Sequence, residues 1–486
     1  MASSEASAAL TAQDNEHPAS AEHPVAHDVQ IELGQVLPVW TIVPFILILL
    51  AIAIVPLAAH HWWESNANKA LIAAACAVPI FAYLLSMGHV GHEVIAEVFH
   101  EYYAFIVLLV SLFTISGGIF LDGDLRATPR TNAAFIAIGA LLASFVGTTG
   151  AAMLLIRPLI KTNSQRRHKT HIFVFFIFLV ANIGGSLLPV GDPPLFLGFL
   201  YGVPFFWTLT AMWPMWLLAN GILLAVFYAW DSIAYRRESQ VDLNRDAEQT
   251  QPLTVTGKLN LLLLLGVLAA VVFLKDYPAH DGPGLALAWM QQPAMLLLAL
   301  VSYAIDHRAK QRATGRGDSS FLTPRERNAF NFDPMIEVAV LFIGIFITMV
   351  PAICLLKANG ASLGVTQPWQ FFWMTGSLSS FLDNAPTYAT FFALGQGTTS
   401  EMLMANPELA VVQANSGPVA SQILLAISVG AVFMGAMTYI GNAPNFMVKS
   451  ICESSGIKMP SFFGYMAYSC GILLPVFALI TFIFFV

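Results

Sequence analysis

The sequence predicts an all-α polytopic membrane protein of about 10 spanning helices plus two re-entrant hairpins, arranged as a five-plus-five inverted-topology repeat with two broken helices. Three observations carry that prediction. Of 486 residues, 57% are hydrophobic and only 10% charged, against about 25% charged in an ordinary soluble domain, and mean hydropathy is +0.69. Twelve apolar segments recur along the chain, and the shortest continuous crossing of a bilayer core takes roughly 20 helical residues. The basic residues fall in alternate loops between these segments, as expected when loops rich in Lys and Arg stay in the cytoplasm.

Residues 1–68 hold no Lys or Arg and lack the basic start and apolar stretch of a signal peptide, so 1–38 reads as a disordered external tail. The first repeat, 39–230, opens with spans near 41–60, 70–87 and 102–121. Lys69 marks an internal loop, the basic-free stretch 88–101 an external one, and Arg126 and Arg130 an internal one. Segment 132–160 is then followed by Lys161, Arg166, Arg167 and Lys169. Both of its flanks are therefore cytoplasmic, and it enters and returns as a hairpin. Segment 171–200, the external loop 201–206 and the span 207–230 complete the repeat.

The linker 231–258, with Arg236, Arg237, Arg245 and Lys258, is internal. The second repeat, 259–486, begins with spans near 259–275, 291–307 and 335–357, and its loop 308–327 carries six basic residues. Segment 367–397 precedes a stretch, 398–420, without a basic residue, so a second hairpin enters from the external face. Segments 421–449 and 461–486 follow. This threading places 19 of the 22 Lys and Arg residues in the cytoplasm, leaves Lys275 and Lys357 outside, and holds Arg157 within a segment. Each half crosses an odd number of times, which turns the second half upside down relative to the first. Spacing agrees: Gly185, Gly191, Asp192 and Pro194 in GSLLPVGDPP map onto Gly435, Gly441, Asn442 and Pro444 in GAMTYIGNAP at an offset of 250.

Segments 171–200 and 421–449 are the broken helices. Gly184, Gly185, Pro189, Gly191, Pro193 and Pro194 interrupt the first, and backbone groups freed in hydrocarbon require protein or water to satisfy them. The hairpins bend at similar residues, Gly147-Thr148-Thr149-Gly150 and Asp383-Asn384-Ala385-Pro386. Four polar breaks, two per half, are expected to converge.

Asp192 and Asp383 stand out, because an ionised carboxylate at membrane depth costs roughly 2.5–3.5 kcal/mol on insertion scales. One reading is structural: Asp-Pro-Pro is an N-cap followed by proline at the first helical turn, and Asp383 fits a similar cap. The other is a hard-oxygen site in which Asp192 and Asp383 hold Na⁺ or Li⁺ together with Asn384, Asn442 and the hydroxyls of Thr148, Thr149, Ser186 and Thr438, exchanging the cation for a proton. Arg157 reads as a snorkelling residue, a charge partner for an aspartate, or an anion contact. Glu337 reads as interfacial. His89, His92, Glu93, Glu97, His100 and Glu101 lack the second histidine of HExxH and fit an external amphipathic turn. His168 and His171 fit a solvated cytoplasmic loop, with pH sensing as the alternative.

The formal charge of −7 and the scattered basic residues give no surface for nucleic acid. Cys76, Cys354, Cys452 and Cys470 form no CxxC and imply neither a disulfide framework nor a thiolate metal site. Neither a Walker A sequence nor a nucleophile elbow nor a dinucleotide fingerprint appears. The expectation is a transporter energised by ion gradients, not an enzyme, with no cofactor and with the bilayer, a cation and protons as partners.

The stretches GTTGAAMLLIRP (147–158), NIGGSLLPVGDPPLFLGFLYGV (182–203), SSFLDNAPTY (379–388) and YIGNAPN (439–445) resemble the sodium:proton antiporter and citrate transporter members of the ion transporter superfamily, over residues 70–486. The resemblance implies a scaffold part and a transport part holding two hairpins and two broken helices, within a homodimer that moves its substrate by an elevator motion in the cell (inner) membrane. GGSLLPVGD is similar to the aspartate-ended motif of NhaD-type antiporters, which puts the ion-binding role on Asp192; Pro193-Pro194 stands where that type carries a small or hydroxyl residue. Dicarboxylate carriers of the superfamily carry Ser-Asn-Thr at both hairpin tips, where this chain has Gly-Thr-Thr and Asp-Asn-Ala. The expected function is Na⁺(Li⁺)/H⁺ antiport; the alternative is a Na⁺- or H⁺-coupled symporter of citrate or another organic anion.

Overall fold

The computed structural model describes residues 24–274, 290–316, 318, 320–415 and 417–486. Helices of more than one turn are numbered in chain order. Helix α1 (Pro24–Val36) precedes three apolar helices, α2 (Val43–Ala58), α3 (Asn66–Leu85) and α4 (His89–Gly117). Strand β1 (Phe120–Asp124) leads to α5 (Pro129–Val146) and α6 (Thr148–Thr162), then to α7 (Thr170–Leu179), α8 (Pro193–Leu200) and α9 (Trp207–Tyr235). The linker forms α10 (Gln240–Glu248) and β2 (Gln251–Thr256). The second half repeats the order with α11 (Leu259–Phe273), α12 (Gln291–Gly315), α13 (Asp333–Asn359), α14 (Pro368–Ser379), α15 (Asn384–Ala405), the strands β3 (Val411–Ala414) and β4 (Gly417–Ala420), then α16 (Ser421–Met434), α17 (Ala443–Ser454) and α18 (Phe462–Phe484). Among the described residues, eight helices are long and apolar enough to cross a membrane. The chain is a multi-pass membrane protein.

Helices α5 and α6 form the first hairpin. Gly147 turns the chain at φ +80, a region that a Cβ disfavours, and its two ends return to one another: Asn132 and Asn163 exchange side-chain hydrogen bonds of 3.0 and 2.9 Å. Helices α14 and α15 form the second, closed where the Thr398 hydroxyl donates to the Val365 carbonyl at 3.4 Å. The hairpins span Pro129–Thr162 and Pro368–Ala405, a little wider than the apolar stretches 132–160 and 367–397, because helix continues into polar ends that hydropathy leaves out.

Between α7 and α8 the chain passes through two 3-10 turns, Ile183–Leu187 and Pro189–Gly191, and between α16 and α17 through one, Gly435–Met437. Each second half-helix begins with proline at its first turn, where no backbone N–H is needed. The residues before them share one extended conformation: Asp192 at φ −145, ψ 140 and Asn442 at φ −153, ψ 139. Hydroxyls take up carbonyls that the breaks release, as Ser144 does for Gly184 at 2.6 Å and Ser380 for Met434 at 3.1 Å. Those two carbonyls also lie 250 residues apart.

Segments read as internal meet one another. Strand β1 pairs antiparallel with β2, Phe120 opposite Thr256 and Asp122 opposite Thr254. Lys161 binds Asp122 at 3.0 Å and Arg167 binds Asp242 at 3.0 Å; the Lys161 hydrogen bond holds the Asp122 carboxyl below its usual range. Lys69 pairs with Glu337 at 2.9 Å, giving Glu337 a definite partner. Segments read as external also meet: the Asn415 amide donates to the Tyr201 carbonyl at 2.7 Å.

Several expectations are corrected. Residues 24–36, assigned to the disordered tail, form α1, because Val29, Leu33 and Leu37 at helical spacing pack into the core. A Cβ at Gly34 would overlap the Cys354 carbonyl of α13, so only glycine admits this approach. Residues 1–23 and Lys275 lie outside the described residues. The two short ribbons among the described residues, β1–β2 and β3–β4, leave the chain the all-α polytopic protein that the sequence predicts. His171, read as a solvated loop group, is buried and sits 2.8 Å from Asp231, which also pairs with buried Arg166 at 2.7 Å, whereas the His168 side chain is half-exposed.

Candidate functional site

The four breaks converge on one carboxylate. Asp192, 2% exposed, lies before α8, and each of the other three breaks sends one side chain to it. Thr148, first residue of α6, donates its hydroxyl to Oδ1 at 2.9 Å. Asn384, first residue of α15, donates Nδ2 to Oδ2 at 2.8 Å. Asn442, before α17, donates Nδ2 to Oδ1 at 3.1 Å. All three donors are neutral. Each helix starts at its break, so four N-terminal ends surround the carboxylate, and the positive end of a helix dipole favours negative charge there. A hydrogen bond to a charged group contributes about 1.5–3 kcal/mol, which offsets part of the cost of burying the anion.

The contacts also explain why the tips carry these residue types. Thr148 and Asn384 occupy the same place in their hairpins, one residue after the turn residue Gly147 and Asp383 respectively. Asp192 and Asn442 occupy the same place in their half-helices and face each other directly. One of the pair carries the charge, the other the donor. The Oδ1 of Asn384 is buried beside the carboxylate with no hydrogen-bond partner, an oxygen available to a cation.

The remaining sequence candidates take other places. Asp383 is half-buried and caps α15, its Oδ1 accepting from the Ala385 amide at 3.1 Å; it does not bond Asp192. Ser186 donates to the Ile183 carbonyl of its own turn at 2.9 Å. Thr438 donates to the Ser380 carbonyl at 2.5 Å and accepts from the Ile440 and Gly441 amides at 3.2 Å each, which ties the second broken helix to the second hairpin tip. Thr149 is half-buried at the wall of the cleft. Arg157 donates to the Asn328 carbonyl at 3.0 Å and reaches neither aspartate.

Two buried asparagines escaped the sequence reading. Asn182 Oδ1 lies 3.2 Å from Asn442 Nδ2, and its own Nδ2 donates to Asn445 Oδ1 at 2.7 Å. Asn445 in turn donates to the Gly435 and Thr438 carbonyls, both at 2.9 Å. This amide chain joins the two broken helices behind Asp192. The available signal was an amide at each end of the two broken motifs, in NIGGS and GNAPN.

A cleft of about 40 Å³ reaches the carboxylate, lined by Phe113, Thr148, Thr149, Val190, Asp192 and Met335 among others. That volume accommodates a water molecule or one desolvated small ion. Met335 opens α13 beside the basic-rich end, so the cleft leads from Asp192 in that direction. No curated protein matches the chain. A family model does match, over residues 34–485, and it takes in both hairpins, both broken helices and Asp192 with its three donors. On that match the chain belongs to the family described as "Putative citrate transport".

Proposed function

We propose that this chain is a Na⁺(Li⁺)/H⁺ antiporter of the NhaD type in which the Asp192 carboxylate carries a proton and an alkali cation by turns. One observation supports this over other cargoes: a buried carboxylate ringed by neutral donors, with a partnerless amide oxygen beside it. An uncompensated buried anion costs several kcal/mol, and a proton or a small hard cation removes that cost equally well. The two ligands compete for the same oxygens, so their fluxes couple without a separate gate. Asp192, Thr148 Oγ1 and Asn384 Oδ1 are the oxygens that would hold the cation. The resident membrane is the cell (inner) membrane, with the N-terminus external.

The family description favours a second reading, coupled uptake of citrate or another organic anion. Four helix N-termini around one point suit a carboxylate ligand. Asp192 opposes an anion there unless a cation binds first, and Arg157 is spent on a backbone carbonyl.

Purified chain in proteoliposomes, with an imposed Na⁺ or Li⁺ gradient and an internal pH dye, is expected to show proton movement opposite to the cation. Saturable, Na⁺-dependent uptake of radiolabelled citrate without proton counterflow would replace this reading with the second. In the same assay Asp383→Asn should keep exchange within about twofold of wild type, because Asn caps a helix as well as Asp does. Loss of exchange in that variant would make Asp383 a ligand rather than a cap.

A further inference from the structure

An open groove lies away from Asp192, at the basic-rich end, where α9, α18 and the loop leading into α7 meet. It encloses about 790 Å³, against about 40 Å³ for the cleft at Asp192. That size suits an organic ligand, whose pockets take about 300–1,000 Å³, rather than an ion. Its floor is one stripe of α9: Val226, Trp230 and Ile233 recur at helical spacing and stand 37%, 38% and 55% exposed. Trp230 stacks on His171 at 6.2 Å and meets Tyr468 of α18 at 5.7 Å. Only 28% of the apolar window of either span is buried inside the protein, so the groove lies on an outward face.

Past the end of α9 the stripe turns basic. Arg237 continues it in a turn closed by its amide, which donates to the Ala234 carbonyl at 3.0 Å, and its side chain is exposed. Arg167 and Lys169 line the same rim, and no carboxylate does. The acids of this end are held elsewhere: Asp231 and Glu238 are buried against Arg166, and Asp242 binds Arg167. Lys169 donates to the Asn163 and Ser164 carbonyls at 3.0 and 2.9 Å, which leaves the third donor of its ammonium for a ligand. Glu238 also attracts Lys169, so Arg237 is the cation of the rim left without an acid among the described residues.

An apolar run that ends in a guanidinium and an ammonium is complementary to a phospholipid. From Val226 to the end of α9 at Tyr235 is about 13 Å at the helical rise, close to one leaflet, half of a hydrocarbon core about 30 Å thick. Trp and Tyr favour the boundary between core and headgroups, and a guanidinium binds phosphate oxygens through paired hydrogen bonds. A free phosphate would leave the apolar floor unused. We propose that this groove binds a phospholipid with an anionic headgroup, an acyl chain lying along Val226, Trp230 and Ile233 and the phosphate held by Arg237 and Lys169.

Titration of the delipidated, detergent-purified full chain with dioleoyl phosphatidylglycerol tests it, with native mass spectrometry reading bound lipid and oligomeric state. Wild type is expected to bind phosphatidylglycerol saturably and about tenfold more tightly than chain-matched phosphatidylcholine. Arg237→Gln should weaken phosphatidylglycerol about fivefold and Arg237→Glu about 25-fold, the factor that each unit of charge near a membrane surface supplies. Ile233→Trp, which fills the floor, should weaken both lipids alike. Equal affinity for the two lipids, or an unchanged phosphatidylglycerol affinity in Arg237→Glu, overturns the assignment. So does glycerol 3-phosphate binding as tightly as phosphatidylglycerol, which would make the groove a site for a free phosphate. An Ile233→Trp variant that dissociates a dimer and retains lipid as wild type does would make it an interface between copies, and also overturns the lipid. Should Arg237→Glu lose its thermal transition, Arg237→Gln and Ile233→Trp decide the matter by the same readings.

Discussion

Asp192→Asn reduces cation-driven proton movement in proteoliposomes to the level of empty vesicles, and lowers Na⁺ affinity by two to three orders of magnitude. The size follows from what is removed. Taking one partner from a buried charge pair costs about 3–5 kcal/mol, and each 1.4 kcal/mol is tenfold in affinity. The substitution also inverts local hydrogen bonding. An amide at 192 would set its own Nδ2 against Asn384 Nδ2 or against the Thr148 and Asn442 donors, all of which now point at carboxylate oxygens. Simple loss of fold is separated from loss of charge by the equivalence of the two halves. Asn442 shares the backbone conformation of Asp192 and touches it. The exchanged pair Asp192→Asn/Asn442→Asp therefore restores one carboxylate between the same two hairpin tips. Partial recovery of exchange, with neither single variant active, is the expected result; a double variant as inactive as Asp192→Asn would mean that the position of the charge, and not its presence, is what counts.

The convergence of breaks was legible because its causes are local. Gly147, Gly185, Gly191 and the prolines after Asp192 interrupt helices whatever surrounds them, and the offset of 250 between GSLLPVGDPP and GAMTYIGNAP is a property of spacing alone. The roles within the site were less legible. An aspartate before a helix can cap it or ligate an ion, and only the direction of the side chain separates Asp192 from Asp383. The hydroxyls of Ser186 and Thr438 looked like ligands, yet a break frees carbonyls of its own and these hydroxyls satisfy such groups. Asn182 and Asn445 lie at the edges of apolar stretches, where a single amide leaves the hydropathy pattern unchanged. Helix α1 was hidden for a similar reason: its apolar stripe is narrow, and the contact of Gly34 with α13 depends on a residue more than 300 positions away.

Gly191→Ala abolishes exchange and lowers thermal stability in detergent by about 3 kcal/mol or more, at or above the upper end of ordinary overpacking. A Cβ at Gly191 would overlap the Gly185 carbonyl oxygen and stand 3.0 Å from the Ser144 Cα. Both obstacles are backbone, so no side chain can swing aside. A Cβ at Gly185 would in turn meet the Gly191 carbonyl at 2.9 Å, so the two turns of the break press on each other from either side. Because Gly191 immediately precedes Asp192, any relief of the clash moves the carboxylate away from Thr148, Asn384 and Asn442. The second half has the same arrangement with more room: a Cβ at Gly441 would stand 2.6 Å from the Gly435 carbonyl. Gly441→Ala is therefore expected to be destabilising to a smaller degree. Gly221→Ala, in the middle of α9 with nothing within 4 Å of the added methyl, should be neutral or gain up to about 1 kcal/mol from helix propensity. Thermal melts of the three variants should order them Gly221→Ala, Gly441→Ala, Gly191→Ala. Equal melting temperatures for all three would mean that the two breaks are not held by close backbone packing, and that another element positions Asp192.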